Sequence, residues 1–102
     1  MARVRVVALV TDMMDRSRIA TALPDAVFVR SADGCAGADV VIVDLARAAA
    51  EVAPVRASAP TARIVGYGPH VDHARFATAQ RDGADRTVAR SRFFRDIEAA
   101  IT

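Results

Sequence analysis

Four β-branched residues in succession, Val40-Val41-Ile42-Val43, run without polar alternation into the carboxylate of Asp44. A strand with one wet face alternates apolar and polar side chains, so an unbroken run needs cover on both faces and belongs in the middle of a parallel sheet. Parallel strands require crossover connections, which restricts the chain to an α/β architecture. Asp44 then stands at the carboxyl end of its strand, the edge where open α/β sheets gather ligands and chemistry.

The rest of the chain supplies the other strands and the crossovers. Strand-like runs fall at Val4–Val10, Ala26–Val29, Ala62–Tyr67 and Arg86–Ala89. Helical spacing of Ile19, Ala20 and Leu23 predicts a helix from about Asp15, stopped by Pro24. A second, alanine-rich helix is expected over Ala46–Arg56, with Pro54 ending it early or distorting it. A third is expected over Val71–Asp82, closed by Gly83 as C-cap. The last starts near Ser91 as N-cap, with Phe93, Ile97 and Ile101 on one stripe. Between Arg30 and Asp39, Gly34 and Gly37 leave room only for a loop or a single helical turn, so that crossover is reduced.

Five strands joined in this way predict a three-layer sandwich with the doubly wound order 2-1-3-4-5 and strands one, three and four at the centre. In that order the ends of strands one and three lie side by side. Asp12 and Asp44 are therefore expected to face one crevice.

A chain of 102 residues reads as a single domain over 1–102, and its 53% hydrophobic but only 5% aromatic composition implies a core of small side chains. All 14 basic residues are arginine, and they are interspersed with aspartates for a net charge of +2. Without a concentrated basic run, nucleic acid is not the expected partner. Cys35 is the one cysteine, which rules out an internal disulfide and fits a cytoplasmic chain. Val4–Val10 is too short for a membrane span.

Two stretches carry a family resemblance: Ala38 to Leu45, and Ile64 through Gly83-Ala84-Asp85 to Ser91. They resemble the acceptor strand and the fourth-strand to fifth-strand block of the receiver domains of two-component response regulators. The resemblance implies a CheY-like, flavodoxin-like fold in which Asp44 occupies the phospho-acceptor position. It further implies that the acidic pair that binds magnesium is reduced to Thr11-Asp12, and that Gly68 stands where a hydroxyl residue contacts phosphoryl oxygens. Arg90 replaces the paired lysine, and Thr87 replaces the aromatic switch residue. The chain thus resembles a degenerate, pseudo-receiver domain, with Arg90 expected to pair with Asp44 or with a bound anion. Asp12 and Asp44 alone make an incomplete metal site, so no cofactor is expected unless phosphotransfer to Asp44 survives, which would need magnesium.

Other features have plainer readings. Asp12 suits a cap as well as a ligand, and Asp15 lies on the following helix, where nothing in the spacing requires it to reach back. His70 and His73 lack a third metal ligand. The Gly66-Tyr67-Gly68-Pro69 segment carries no phosphate-loop fingerprint.

In receivers the face made by the fourth helix, fifth strand and fifth helix meets a protein partner or a second copy. The matching residues here include Phe76, Arg86, Thr87, Arg92 and Arg95, with acidic neighbours at Asp72, Asp82, Asp85 and Asp96. Three functions remain open: a regulatory interaction module, an active phospho-receiver using Asp12, Asp44 and Arg90, and a small nucleotide- or nucleic-acid-binding domain. No nucleophile and base stand at interpretable spacing, so enzymatic turnover is not expected.

Overall fold

A computed structural model describes residues 4–102, and the first three residues of the 1–102 span lie outside the described residues. Strands β1 (Val6–Leu9), β2 (Val27–Phe28), β3 (Val40–Asp44), β4 (Arg63–Gly68) and β5 (Arg86–Ala89) form one sheet. All neighbours pair in parallel, and the order is β2-β1-β3-β4-β5. Leu9 lies opposite Val43, and Asp44 lies opposite Tyr67. The loops that follow β1, β3 and β4 consequently leave the sheet along one rim.

The unbroken apolar run of β3 has the two-sided burial it requires, since all five of its residues are buried. Val41 and Val43 join one core with Leu45, Val52, Val55 and Ala79, while Val40 and Ile42 point the other way to Ile19, Tyr67, Phe93 and Ile97. Each fully buried aliphatic side chain contributes roughly 1.5–3 kcal/mol of transfer free energy. Reversing the register of β3 would gain nothing, because both faces are equally apolar. Its position is fixed instead by the pairing of β1 and β4 on either side.

Helix α1 (Met13–Ala22) follows β1, and a single 3-10 turn (Ala32–Cys35) replaces the crossover helix between β2 and β3. After β3 come α2 (Leu45–Ala48), a 3-10 turn (Ala49–Glu51) and α3 (Val52–Ser58); then α4 (His73–Asp82), α5 (Arg90–Arg95) and α6 (Ile97–Ile101). The expected continuous helix over Ala46–Arg56 is therefore two short helices. Pro54 does not end the second: it is the third residue of α3, in a first turn where a missing N–H has no helical partner to lose.

The C-terminal helix also differs from expectation. Ser91 is not its N-cap, because α5 starts at Arg90 with Ala89 before it, and the stripe is broken at Asp96. Asp96 caps α6 by accepting from the Ala99 N–H at 3.1 Å. Phe93 and Ile97 still enter the core, with Ile101 partly buried against it.

One glycine positions the site. A Cβ at Gly66 would fall 2.8 Å from Leu45 Cδ1, so the bare backbone of β4 lets α2 settle directly on the sheet. At the opposite edge Arg56 donates to the carbonyls of Gly83 (2.8 Å) and Ala62 (2.8 Å) and pairs with Asp85 at 2.7 Å. Asp85 also accepts from the Ile64 N–H, which ties α3 to the entrances of β4 and β5.

Candidate functional site: a rim of paired carboxylates and arginines

Asp44 ends β3 and is 1% exposed. One of its oxygens caps α2, Oδ1 accepting from the Ala46 N–H at 3.0 Å, and Oδ2 accepts from Arg47 Nη1 at 3.1 Å. The second arm of the same guanidinium, Nη2, lies 3.4 Å from Asp12 Oδ2. Asp12 is itself the N-cap of α1, accepting from the Asp15 N–H at 3.0 Å. Asp12 and Asp44 thus share the rim, bridged by an arginine whose side chain is 52% exposed. The hydrogen bond to Asp44, and then its charge, push the Arg47 guanidinium further toward the protonated form.

The turn that carries Arg47 is held from outside. Arg75 Nη1 donates to the carbonyls of Leu45 (2.8 Å) and Ala46 (3.2 Å), while Arg75 Nε pairs with Asp72 Oδ2 at 2.8 Å. Those carbonyls lie in the short α2, and α4 supplies them with a donor.

Arg90 does not pair with Asp44. Its partner is Asp15, to which Nη1 donates at 2.7 Å while Nη2 contacts the other carboxylate oxygen in a bidentate pair. The reason lies in the start of α1: with Asp12 as cap, Asp15 falls in the first turn on the face that meets the sheet, where it is fully buried. The Tyr67 hydroxyl donates to Asp15 Oδ2 at 2.8 Å and completes the group. The Arg90 hydrogen bond holds the Asp15 carboxyl below the usual carboxylate range, against the opposing effect of burial. Burial, with the bond to Asp15, pushes the Tyr67 phenol far above its ordinary range. Tyr67 stacks on Phe93 at 4.6 Å, and the Arg90 guanidinium lies 4.9 Å from the Phe94 ring.

Gly68 ends β4 at the rim, where a Cβ would lie 3.3 Å from Phe76 Cε1. The space beside it is filled by a ring in place of a hydroxyl. Phe76 is therefore not a free surface anchor: it is partly buried and packs on the core. Thr87 is half-buried and accepts from Gln80 Nε2 at 2.7 Å. Arg86, Arg92 and Arg95 are exposed, as are His70 and His73.

Magnesium demands near-octahedral oxygen ligation at short range. Here the oxygens of Asp12 and Asp44 that face each other are engaged by one guanidinium, and Asp15 is engaged by another. Among the described residues, no group of three or more His, Cys, Asp or Glu side chains is placed to hold a metal ion. The side chains present do not fit a receiver-type magnesium site.

Two of the site's main residues left only faint marks in the sequence. Asp15 and Ile19 stand four apart on one helix face, so a carboxylate on the apolar stripe signals a buried pair. Arg47 stands three residues after Asp44, a spacing that brings side chains together within one helical turn.

A five-stranded parallel sheet in this order, with an aspartate ending the third strand, an acidic residue after the first and a basic one after the fifth, is the fold of CheY-like receiver domains. Three solved structures share this fold. A response regulator from Burkholderia pseudomallei, determined with a phosphorylated aspartic acid, a calcium ion and citrate, superposes with a TM-score of 0.84 at 18% identity, covering 98% of this chain and 67% of that one. A response regulator from Hahella chejuensis gives 0.77 at 20% identity, over 95% of this chain and 91% of the other. A CheY-like protein (tadZ) from Pseudomonas aeruginosa PAO1 gives 0.70 at 18% identity, over 87% and 88% of the two chains. No protein-family model and no curated protein matches the sequence. Among the described residues no helix is long and apolar enough to cross a membrane.

Proposed function

We propose that this chain is a response-regulator-like signalling module of the pseudo-receiver kind, which acts by binding a protein partner or a second copy without phosphorylation and without enzymatic turnover. The observation that carries this reading is the state of Asp44: it is buried, one oxygen caps α2, and the other is held by Arg47. Phosphoryl transfer needs a free carboxylate oxygen in line with the donor and a divalent ion to neutralise developing charge. The Burkholderia pseudomallei regulator carries both a phosphorylated aspartic acid and calcium; here Asp12 and Asp44 share one arginine, Arg47.

The proposed contact face comprises α4, β5 and α5, with exposed Arg86, Arg92 and Arg95 beside exposed Asp85 and Asp96. Interspersed charges of both signs suit the polar rim of a protein interface. The module is proposed to work in the cytoplasm.

Incubation with a small acyl phosphate and magnesium, followed by intact-mass measurement, is expected to add no phosphoryl group. Beryllofluoride with magnesium is expected to leave the amide signals of Asp12, Asp44 and Arg90 in place. A stable adduct on Asp44 would transfer the chain to the active receivers.

A further inference from the structure

We propose that Arg47 is a tethered cation: its guanidinium takes the position of a divalent ion between Asp12 and Asp44 and offsets half of their negative charge with no metal bound. This inference rests on the pseudo-receiver reading and names the device that makes it work. The geometry is direct, since one arm lies 3.1 Å from Asp44 Oδ2 and the other 3.4 Å from Asp12 Oδ2. A single planar group meets two carboxylates that come from the ends of two adjacent strands.

Three features hold the guanidinium there. Asp44 caps α2, so the first turn of that helix returns the side chain three residues later over the cap. Leu45 sits against the bare backbone of Gly66, and Arg75 binds the Leu45 and Ala46 carbonyls, which fixes the turn from both sides. Arg75 is already paired with Asp72 and does not compete for the rim.

A tethered cation also has a concentration advantage. A group linked through a few bonds acts at an effective concentration in the millimolar range or above, comparable with or exceeding that of a free ion. A guanidinium is weakly hydrated, whereas magnesium gives up its waters reluctantly. Removing the arginine should therefore uncover two carboxylates for a divalent ion that the native chain excludes.

The test is a manganese(II) titration followed by amide NMR on the full chain and on Arg47→Gln, Arg47→Lys and Asp12→Asn/Arg47→Gln variants. Manganese erases amide signals near its binding site, so the readout is independent of any activity. Arg47→Gln is expected to lose the signals around Asp12 and Asp44 at ion concentrations that leave the native chain unchanged. Arg47→Lys, which retains the charge, and the double variant, which lacks one carboxylate, should keep them. Unchanged signals far from the rim serve as the control for folding. Equal signal loss in the native chain and Arg47→Gln, or none in either, overturns the tethered cation. If neither binds manganese and the native chain also resists the acyl phosphate, the pseudo-receiver reading stands while this inference falls. A phosphoryl adduct on the native chain removes the reading beneath it.

Discussion

Asp15 and Asp44 are both withdrawn from water and each meets an arginine, yet the two pairs do different things. The Asp15 pair joins residues 75 apart in the chain and fastens α1 to the start of α5, with Tyr67 of β4 as a third member. The Asp44 pair joins residues three apart and closes one helical turn. Arg90 lies against the Phe94 and Tyr67 rings and grips both oxygens of its carboxylate, whereas Arg47 gives Asp44 a single hydrogen bond, although the two arginine side chains are similarly exposed at 43% and 52%. A long-range, bidentate pair with a third member is part of the fold, and a local pair held by one hydrogen bond is a setting of the rim. The contrast separates a lock from a latch.

Breaking the lock should have the largest effect. Arg90→Ala leaves the Asp15 carboxylate buried with only the Tyr67 hydroxyl; because the guanidinium is itself 43% exposed, the cost falls below that of a fully buried pair, at about 2 kcal/mol. For a chain of this size that corresponds to a fall of roughly 8–16 °C in Tm. The acid response should also change sign. In the native chain the Asp15 carboxyl is depressed, mainly by the Arg90 hydrogen bond, so its contribution is complete at neutral pH and is lost as pH falls below about 4. Without Arg90, burial dominates and raises that carboxyl above its unfolded value. Acidification through the carboxylate range should then stabilise the variant relative to its own neutral state. Denaturant midpoints between about pH 3 and pH 7 measure both curves; parallel curves would mean that Asp15 is not the group locked by Arg90.

Tyr67→Phe tests the third member of the lock. The substitution keeps the ring stacked on Phe93 and removes the hydroxyl donated to Asp15. A loss of about 1 kcal/mol is expected for one such hydrogen bond. Equilibrium unfolding of the single variants and of the Arg90→Ala/Tyr67→Phe double variant should reveal non-additivity, because both donors serve the same carboxylate. Strict additivity would separate Tyr67 from the pair.

The unequal legibility of the two pairs has the same origin as their unequal roles. Strand order followed from apolar runs and crossover rules, since Val40–Val43 tolerates only a two-sided setting. The shared rim of Asp12 and Asp44 then followed from the adjacency of β1 and β3. Which arginine each carboxylate meets depends on helix phase, and phase turns on details smaller than a hydropathy pattern. Capping by Asp12 starts α1 at Met13 and rotates Asp15 inward, which draws Arg90 away from Asp44. Capping by Asp44 starts α2 at once and aims Arg47 back at the rim. The break at Asp96 is of the same kind: a side chain that caps a new helix outweighs the periodic stripe from Phe93 to Ile101.

Breaking the latch should have the smallest effect on stability. In Arg47→Ala, Asp44 keeps its hydrogen bond from the Ala46 N–H, and the Leu45 and Ala46 carbonyls keep Arg75. One hydrogen bond to the buried Asp44 and the more exposed contact with Asp12 are lost. The thermal midpoint should fall by roughly 2–8 °C, less than in Arg90→Ala. A fall comparable to that of Arg90→Ala would erase the distinction between the pairs, because an arginine on which the fold depends cannot also be a replaceable counter-charge. The latch is the cheaper of the two to open because its arginine gives Asp44 one hydrogen bond where Arg90 gives Asp15 a contact to each oxygen.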